Sequence, residues 1–312
     1  MSHNRRRVLA IIALPDATVA ALRRDYDLTY RPDGWPAVAP EDCSGVTAVV
    51  TNGTTGLPAE RIVLFPELGL VSAFGAGYEN VDVGAAQKRH IVVTHAPGAN
   101  DDTVADHAVA LTLSIARDIP LRDRAMRAGG WAKIRNPRPT LTGSTVGILG
   151  LGRIGRKIAQ RFAGFGVRIL YHTPSPKPDC GWTYVGGVIE LATESRFLIV
   201  ACPGGAATRH LINAEVLKAL GPDGFLVNVA RGGIVDTQAL IAALSDGAIA
   251  GAALDVYEDE PQVPAALLAL DNVVCTPHMA GRSPEAEKAQ TDLLLANLRA
   301  FFGGGTPVSP VP

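Results

Sequence analysis

No stretch of the chain approaches the roughly 18 uninterrupted apolar residues that a membrane-spanning helix needs. Apolar residues nevertheless make up 47% of its 312 positions, enough for ordinary cores. A dominant charge is also missing: the net charge of −1 sets up no field that would draw nucleic acid or anionic lipid. Cysteine is scarce, and Cys43, Cys180, Cys202 and Cys275 lie far apart. They form no paired metal-ligand spacing and no dense disulfide pattern, which points to reduced thiols in a cytoplasmic protein and to no metal. No internal repeat of 20–50 residues is visible. Arg5-Arg6-Arg7 ahead of residues 8–14 faintly resembles a signal peptide. The apolar run is too short, Pro15-Asp16 ends it, and no small-residue cleavage site follows, so a first buried strand is expected instead.

Length points to about two domains. Short apolar runs alternate with helical patterns nearly throughout, a rhythm that predicts parallel sheets covered by helices on both faces. Early strands are expected at 8–14, 46–51, 70–74 and 91–94, with a helix over 17–25 capped by Asp16. A long helix begins near Asp102 and runs through Val109, Leu113 and Ile115, with Pro120 set to kink or break it. Gly129-Gly130 closes that segment, and residues 136–142 read as a polar connector. From Thr145 the alternation becomes regular, with strands at 145–149, 167–171, 197–201, 224–229, 251–256 and 272–275. Helices fit between them at 154–165, 213–220 and 237–245. A final helix, 284–302, is expected to fold back on the first domain, and the Gly/Pro-rich tail 303–312 to be mobile. One domain is therefore expected over residues 1–98 and 284–312, the other over residues 99–283.

In the second domain Gly150, Gly152 and Gly155 form the loop GLGRIG. It follows an apolar strand and opens an amphipathic helix, the context in which GxGxxG binds a dinucleotide. The first glycine permits a tight turn, the second lets the backbone approach the pyrophosphate, and the third lets helix and strand pack closely. The helix N-terminus adds unpaired N–H groups and partial positive charge. An acid about 20 residues further on would bind the ribose 2′-hydroxyl of NAD. Residues 171–177 here read YHTPSPK, with no acid before Asp179. Thr173, Ser175 and Lys177 instead favour NADP(H), through hydroxyl donors and a point charge for the 2′-phosphate. The alternative is a solvated proline-rich turn indifferent to that phosphate, which leaves NAD open.

Three polar residues fall just beyond strand ends, where open α/β sheets place their sites. They are Arg231, Glu260 and His278. A guanidinium grips a carboxylate bidentately and polarises the ketone beside it. A histidine delivers a proton as hydride creates an alkoxide. A carboxylate orients that imidazole and favours its protonated form. Each alone has a bland reading: Arg231 as a surface ion pair, Glu260 as part of the solvated acidic run Glu258-Asp259-Glu260, and His278 as a satisfied loop histidine. Jointly, at successive strand ends, they match the reduction of a 2-oxo acid.

With these residues in place, the chain resembles the D-isomer-specific 2-hydroxyacid dehydrogenase family over nearly its whole length. The resemblance is carried by residues 74–82 (FGAGYENVD), 100–108, GLGRIG, 227–236 (VNVARGGIVD), 254–261 (LDVYEDEP) and 276–281 (TPHMAG). It implies two doubly wound parallel-sheet domains, a Rossmann cofactor domain and a flavodoxin-like substrate domain, with an interdomain cleft. It implies that Arg231 binds substrate, that His278 is the acid/base and that Glu260 supports it. Backbone N–H groups at Ala76 and Gly77 would hold the substrate carboxylate, with Asn52 and Gly53 lining the same pocket. Thr103 would touch the nicotinamide side of the cofactor, and Arg153 and Ile154 its pyrophosphate. Cys202 and Pro203 would flank the adenosine, Asp255 would bond the carboxamide, and Ala230, Ala280 and Gly281 would complete the cofactor contacts. The family is usually a homodimer joined through the cofactor domain.

Glu260 stands where related formate dehydrogenases carry glutamine, which argues against formate. Pro174 stands where NADPH-using hydroxypyruvate and hydroxyphenylpyruvate reductases usually carry arginine. Met279 replaces a commoner aliphatic residue, a nearly neutral swap. The expected activity is a glyoxylate/hydroxypyruvate-type reductase, with 2-ketogluconate and arylpyruvates as alternative substrates. A dinucleotide-sensing corepressor and a phosphite oxidase on the same scaffold are the other readings. The compact chain and the complete triad speak against the corepressor.

Overall fold

The computed structural model describes residues 6–311, apart from the Lys133 side chain. Arg5, in the basic run ahead of the first strand, lies outside the described residues. The chain divides into two compact units, Met1–Asn100 with Ser283–Pro312, and Asp101–Arg282.

The first unit alternates strand and helix: β1 (Arg7–Ala10), α1 (Asp16–Asp25), β2 (Asp27–Tyr30), β3 (Val46–Thr51), α2 (Ala59–Ile62), β4 (Leu70–Ala73), α3 (Val83–Lys88) and β5 (Val92–Thr94). All pairings are parallel, in the order β2-β1-β3-β4-β5, which is the flavodoxin-like order. Two expectations are corrected here. The ladder of β1 stops at Ala10, although Ile11 and Ile12 stay buried, so the apolar run outlasts the strand. Asp16 is the first helical residue and not the cap: Pro15 takes the cap position with extended torsions and no side-chain bond. There the Asp16 carboxylate meets the positive end of the helix. The unforeseen β2 is an edge strand with no fully buried residue, so it shows no apolar alternation.

The second unit opens with α4 (Asp101–Ala116) and α5 (Ile119–Arg127). The break falls at Asp118, which adopts a left-handed φ of 52°. Pro120 sits in the first turn of α5, where a missing N–H is tolerated. There follow β6 (Thr145–Leu149), α6 (Arg153–Ala163), β7 (Arg168–His172), β8 (Thr183–Tyr184), α7 (Val188–Glu194), β9 (Phe197–Val200), α8 (Ala214–Leu220), β10 (Phe225–Asn228), α9 (Thr237–Ser245), β11 (Gly251–Leu254), α10 (Ala265–Leu268) and β12 (Val273–Cys275). The seven parallel strands run β12-β11-β10-β9-β6-β7-β8. From β6 outward this is the Rossmann order with one strand added. Charge zips α6 to α4: Arg153 pairs with Asp101, Lys157 with Asp102, and Arg161 with Asp102 and Asp106.

The chain then returns to the first unit as α11 (Pro284–Phe302), capped by Ser283. Leu294, Leu295 and Leu298 of α11 pack with Val8, Ala10, Val50 and Leu70. Each fully buried leucine contributes about 1.5–3 kcal/mol. The tail is not mobile as expected. Its described part docks on β5, where Pro310 bridges Thr94 and the Val311 N–H donates to the Val93 carbonyl at 2.8 Å. Gly/Pro composition hid this, because the anchor is one polar residue, Ser309, held by the buried Asn297.

Candidate active site

In the second unit, the loops after β10, β11 and β12 carry Arg231, Glu260 and His278. Two of the three meet directly: His278 Nδ1 stands 2.6 Å from Glu260 Oε2. An ionised carboxylate only accepts, so Nδ1 donates. The Glu260 partner oxygen accepts from the Tyr257 N–H at 2.9 Å. Burial pushes the Glu260 carboxyl upward, but the bonds from His278 and the Tyr257 N–H, with the charges of His278 and Arg231, hold it below its ordinary value. The ring keeps one face to solvent, with 42% of the His278 side chain exposed against 22% for Glu260.

The loop bearing His278 is hung on one buried carboxylate. Asp255, 1% exposed, accepts from the Thr276 hydroxyl, the Met279 N–H and the Ala280 N–H at 2.6, 2.9 and 2.8 Å. Its own carbonyl accepts from the His278 N–H at 2.8 Å. These bonds hold His278 at φ 49°, a left-handed conformation that a non-glycine residue rarely adopts. His107 of α4 donates to the Thr276 hydroxyl oxygen at 3.0 Å. Asp255 therefore positions the His278 loop, a role that the resemblance did not carry, and both its oxygens already serve protein donors.

Arg231 precedes a short turn, and its guanidinium donates to the Ala230 carbonyl at 2.6 Å. Two glycines set its surroundings. A side chain on Gly204 would press on the Arg231 stem, and one on Gly232 would overlap the Tyr257–Glu258 peptide. The Arg231 loop and the Glu260 loop thus touch backbone to backbone. The sequence reading gave no role to Gly204, Gly232, His107 or Thr276, although the last three lie in the segments 227–236, 100–108 and 276–281 that carry the family resemblance.

The dinucleotide loop meets the demands of its motif. A Cβ on Gly150 would strike the backbone of Cys202, and one on Gly155 the Gly150 carbonyl. Gly152 faces open space, where any side chain would fill the approach to the N-terminus of α6. That helix has no side-chain cap, so its first N–H groups remain for an anion. Burial pushes the Cys202 thiol up to about 11, which makes it an apolar wall and not a nucleophile. The Pro203 carbonyl accepts from the Thr208 hydroxyl. Ile154 is half-buried in the first turn of α6, Thr103 stands in the first turn of α4, and Gly281 follows the buried Ala280.

Beyond β7 the structure alters one expectation. Thr173 is buried and its hydroxyl donates to the Ser175 carbonyl at 2.6 Å, so its proton is spent on shaping the turn. The Tyr171 hydroxyl clamps the Lys177 backbone on both sides, accepting from its N–H and donating to its carbonyl. Ser175 and the Lys177 side chain remain exposed.

In the first unit, Asn52 and Gly53 follow β3 while Ala76 and Gly77 follow β4. A Cβ on Gly53 would crowd the Gly77 carbonyl, so these loops are in contact. Asn52 Oδ1 accepts from the Thr55 N–H at 2.7 Å, which fixes its turn.

Residues 109–280 match the family model described as the D-isomer specific 2-hydroxyacid dehydrogenase, NAD binding domain. A hydroxyphenylpyruvate reductase of Plectranthus scutellarioides is 42% identical over 85% of each chain. A glyoxylate/hydroxypyruvate reductase of Arabidopsis thaliana is 41% identical over 86% of each chain. An NADPH-dependent glyoxylate/hydroxypyruvate reductase of Sinorhizobium meliloti, solved with NADP and malonate, superposes with a TM-score of 0.92. It shares 40% identity over 98% of this chain and 97% of its own.

Proposed function

The chain belongs to the D-isomer-specific 2-hydroxyacid dehydrogenase family, and from that premise we propose that it reduces glyoxylate or hydroxypyruvate to the D-2-hydroxy acid with NADPH. The reading is carried by the Glu260–His278 pair, whose bond uses Nδ1 and leaves Nε2 as the working nitrogen. Arg231 grips the substrate carboxylate and polarises the neighbouring carbonyl. On the first unit, the N–H groups of Ala76 and Gly77 would bind a carboxylate of the 2-oxo acid, with Asn52 and Gly53 in the neighbouring loop. The dihydronicotinamide supplies the hydride. His278 Nε2 then protonates the nascent alkoxide, while Glu260 fixes the ring's tautomer and plane.

Preference for NADPH is supported by the missing acid after β7 and by the exposed Ser175 and Lys177. Gly150, Gly152, Arg153, Ile154 and Gly155 would cradle the pyrophosphate, with Cys202 and Pro203 beside the adenosine. Thr103, Ala230, Asp255, Ala280 and Gly281 would border the nicotinamide half. A homodimer through the second unit is supported by exposed Ile119, Met126 and Trp131, all on or just after α5. Four free cysteines fit a cytoplasmic setting.

The test is a spectrophotometric screen of 2-oxo acids with each nicotinamide cofactor. The highest kcat/KM is expected for glyoxylate or hydroxypyruvate with NADPH. Clearly faster turnover with NADH would overturn the cofactor assignment, and turnover of no 2-oxo acid would overturn the activity.

A further inference from the structure

A hydrogen-bonded chain in the first unit runs from the tail to the loop that would hold the substrate carboxylate. Asn297, buried on α11, accepts from the Val308 and Ser309 N–H groups at 2.9 and 3.1 Å and donates to the Ser309 hydroxyl at 2.8 Å. Ser309 in turn takes both backbone groups of His95. Its hydroxyl donates to the His95 carbonyl at 2.6 Å, and its carbonyl accepts from the His95 N–H at 3.2 Å. The His95 imidazole meets the Ala76 carbonyl through Nδ1 at 2.9 Å. A carbonyl only accepts, so Nδ1 carries the proton. Tyr78 stands edge-on to the ring at 5.1 Å.

Peptide geometry sets where the other half of that bond points. Among the described residues the only cis bond is Glu260-Pro261, so Ala76–Gly77 is trans. A trans peptide aims its C=O and N–H in opposite directions. With the Ala76 carbonyl drawn to His95, the Gly77 N–H is turned away from the ring. Among the described residues that N–H has no backbone partner. The bond from His95 also polarises the peptide and makes the N–H a stronger donor. The loop is pinned just ahead of Ala76: the Phe74 N–H donates to the Thr51 carbonyl and the Ala96 N–H to the Gly75 carbonyl, each at 2.7 Å.

We propose that His95, set by Ser309, is a positioning residue that aims the Gly77 N–H at the carboxylate of the 2-oxo acid. The proposal rests on the reading that Ala76 and Gly77 hold that carboxylate. Such a bond is made alike in the ground state and the transition state, so its loss raises KM and spares kcat.

Two substitutions separate the hydrogen bond from the ring. His95→Phe keeps a ring against Tyr78 and removes the donor. His95→Asn keeps a donor close to the Nδ1 position and removes the ring. His95→Phe is expected to raise KM for glyoxylate about three- to tenfold, the worth of one hydrogen bond. Its kcat and its dissociation constant for NADPH, followed by cofactor fluorescence, stay near wild type. His95→Asn restores KM. Ser309→Ala raises KM in the same direction by a smaller factor, and carries the test if thermal unfolding shows a His95 variant to be misfolded. A raised KM in His95→Asn beside a normal one in His95→Phe overturns the proposal, as does wild-type KM in all three variants. Failure of the underlying reading looks different: removing the Gly77 N–H itself, as Gly77→Pro in protein that still binds NADPH with wild-type affinity, would then leave the KM for glyoxylate unchanged.

Discussion

Two residues apart on one loop, Glu258 and Glu260 each hold a histidine at 2.6 Å, and both histidines are left-handed, with φ of 50° at His210 and 49° at His278. The pairs use opposite ends of the imidazole. Glu260 takes Nδ1, next to the ring's own backbone, and leaves the distal Nε2 of His278 for another molecule. Glu258 takes the distal Nε2 of His210, which spends the ring's reach. Glu258 also accepts from Arg209 at 2.9 Å and from the Thr237 hydroxyl at 3.0 Å, so its carboxylate is shared among three side chains. Residue types and distance alone do not separate a histidine whose distal nitrogen is left over from one held as a clasp. The nitrogen engaged does.

Substitution of the histidines breaks the comparison most sharply. His278→Ala should lower kcat by about 10²–10⁴, the range of a lost general acid. His210→Ala should leave turnover close to wild type; an equal fall in both would put the two pairs on the same footing. Next comes Glu260→Gln, expected to lower kcat/KM about ten- to hundredfold, the equivalent of a charge-assisted hydrogen bond. Near-normal kinetics in this variant would free His278 from its partner. Glu258→Gln should act on stability instead, costing about 1.5–3 kcal/mol in urea unfolding with kcat little changed.

The smallest effect is in acid. Burial works to raise the Glu258 carboxyl, but the His210 and Thr237 bonds and the nearby cations outweigh it, and Glu260 is likewise held below the ordinary 4.5. Both native carboxyls therefore bind protons less readily than the unfolded chain. Each contributes stability in full above about 4.5, and loses it as pH falls through its lowered native value. Unfolding free energy should therefore fall as the pH drops below about 4.5. The drop should be smaller in Glu258→Gln; an unchanged drop would remove Glu258 from the acid-sensitive set.

What could be read from the sequence follows the range of the interactions concerned. The second sheet was legible because β6, β7 and β9 to β12 are short apolar runs buried by the helices between them, whereas its short edge strand β8 was not foreseen. Nor was edge strand β2, since its residues are only partly covered. The placement of GLGRIG, Arg231, Glu260 and His278 just beyond strand ends was legible because motif spacing and strand ends are local properties. Glu258 was hidden in an acidic run that reads as a solvated turn, and its partners come from residues 209–210 and 237, far along the chain. Thr173 was read as a free hydroxyl because a two-residue bond to a carbonyl leaves no trace in composition.

The first unit is assembled from both ends of the chain, and this orders its completion during synthesis. Leu294, Leu295 and Leu298 cover the face formed by Val8, Ala10, Val50 and Leu70, yet they are translated only after the whole of Asp101–Arg282. The second unit has all its strands in one continuous stretch and can close as it leaves the ribosome. The first unit's sheet must wait through that interval with this face covered only in part, by Val19 and Leu22 of α1.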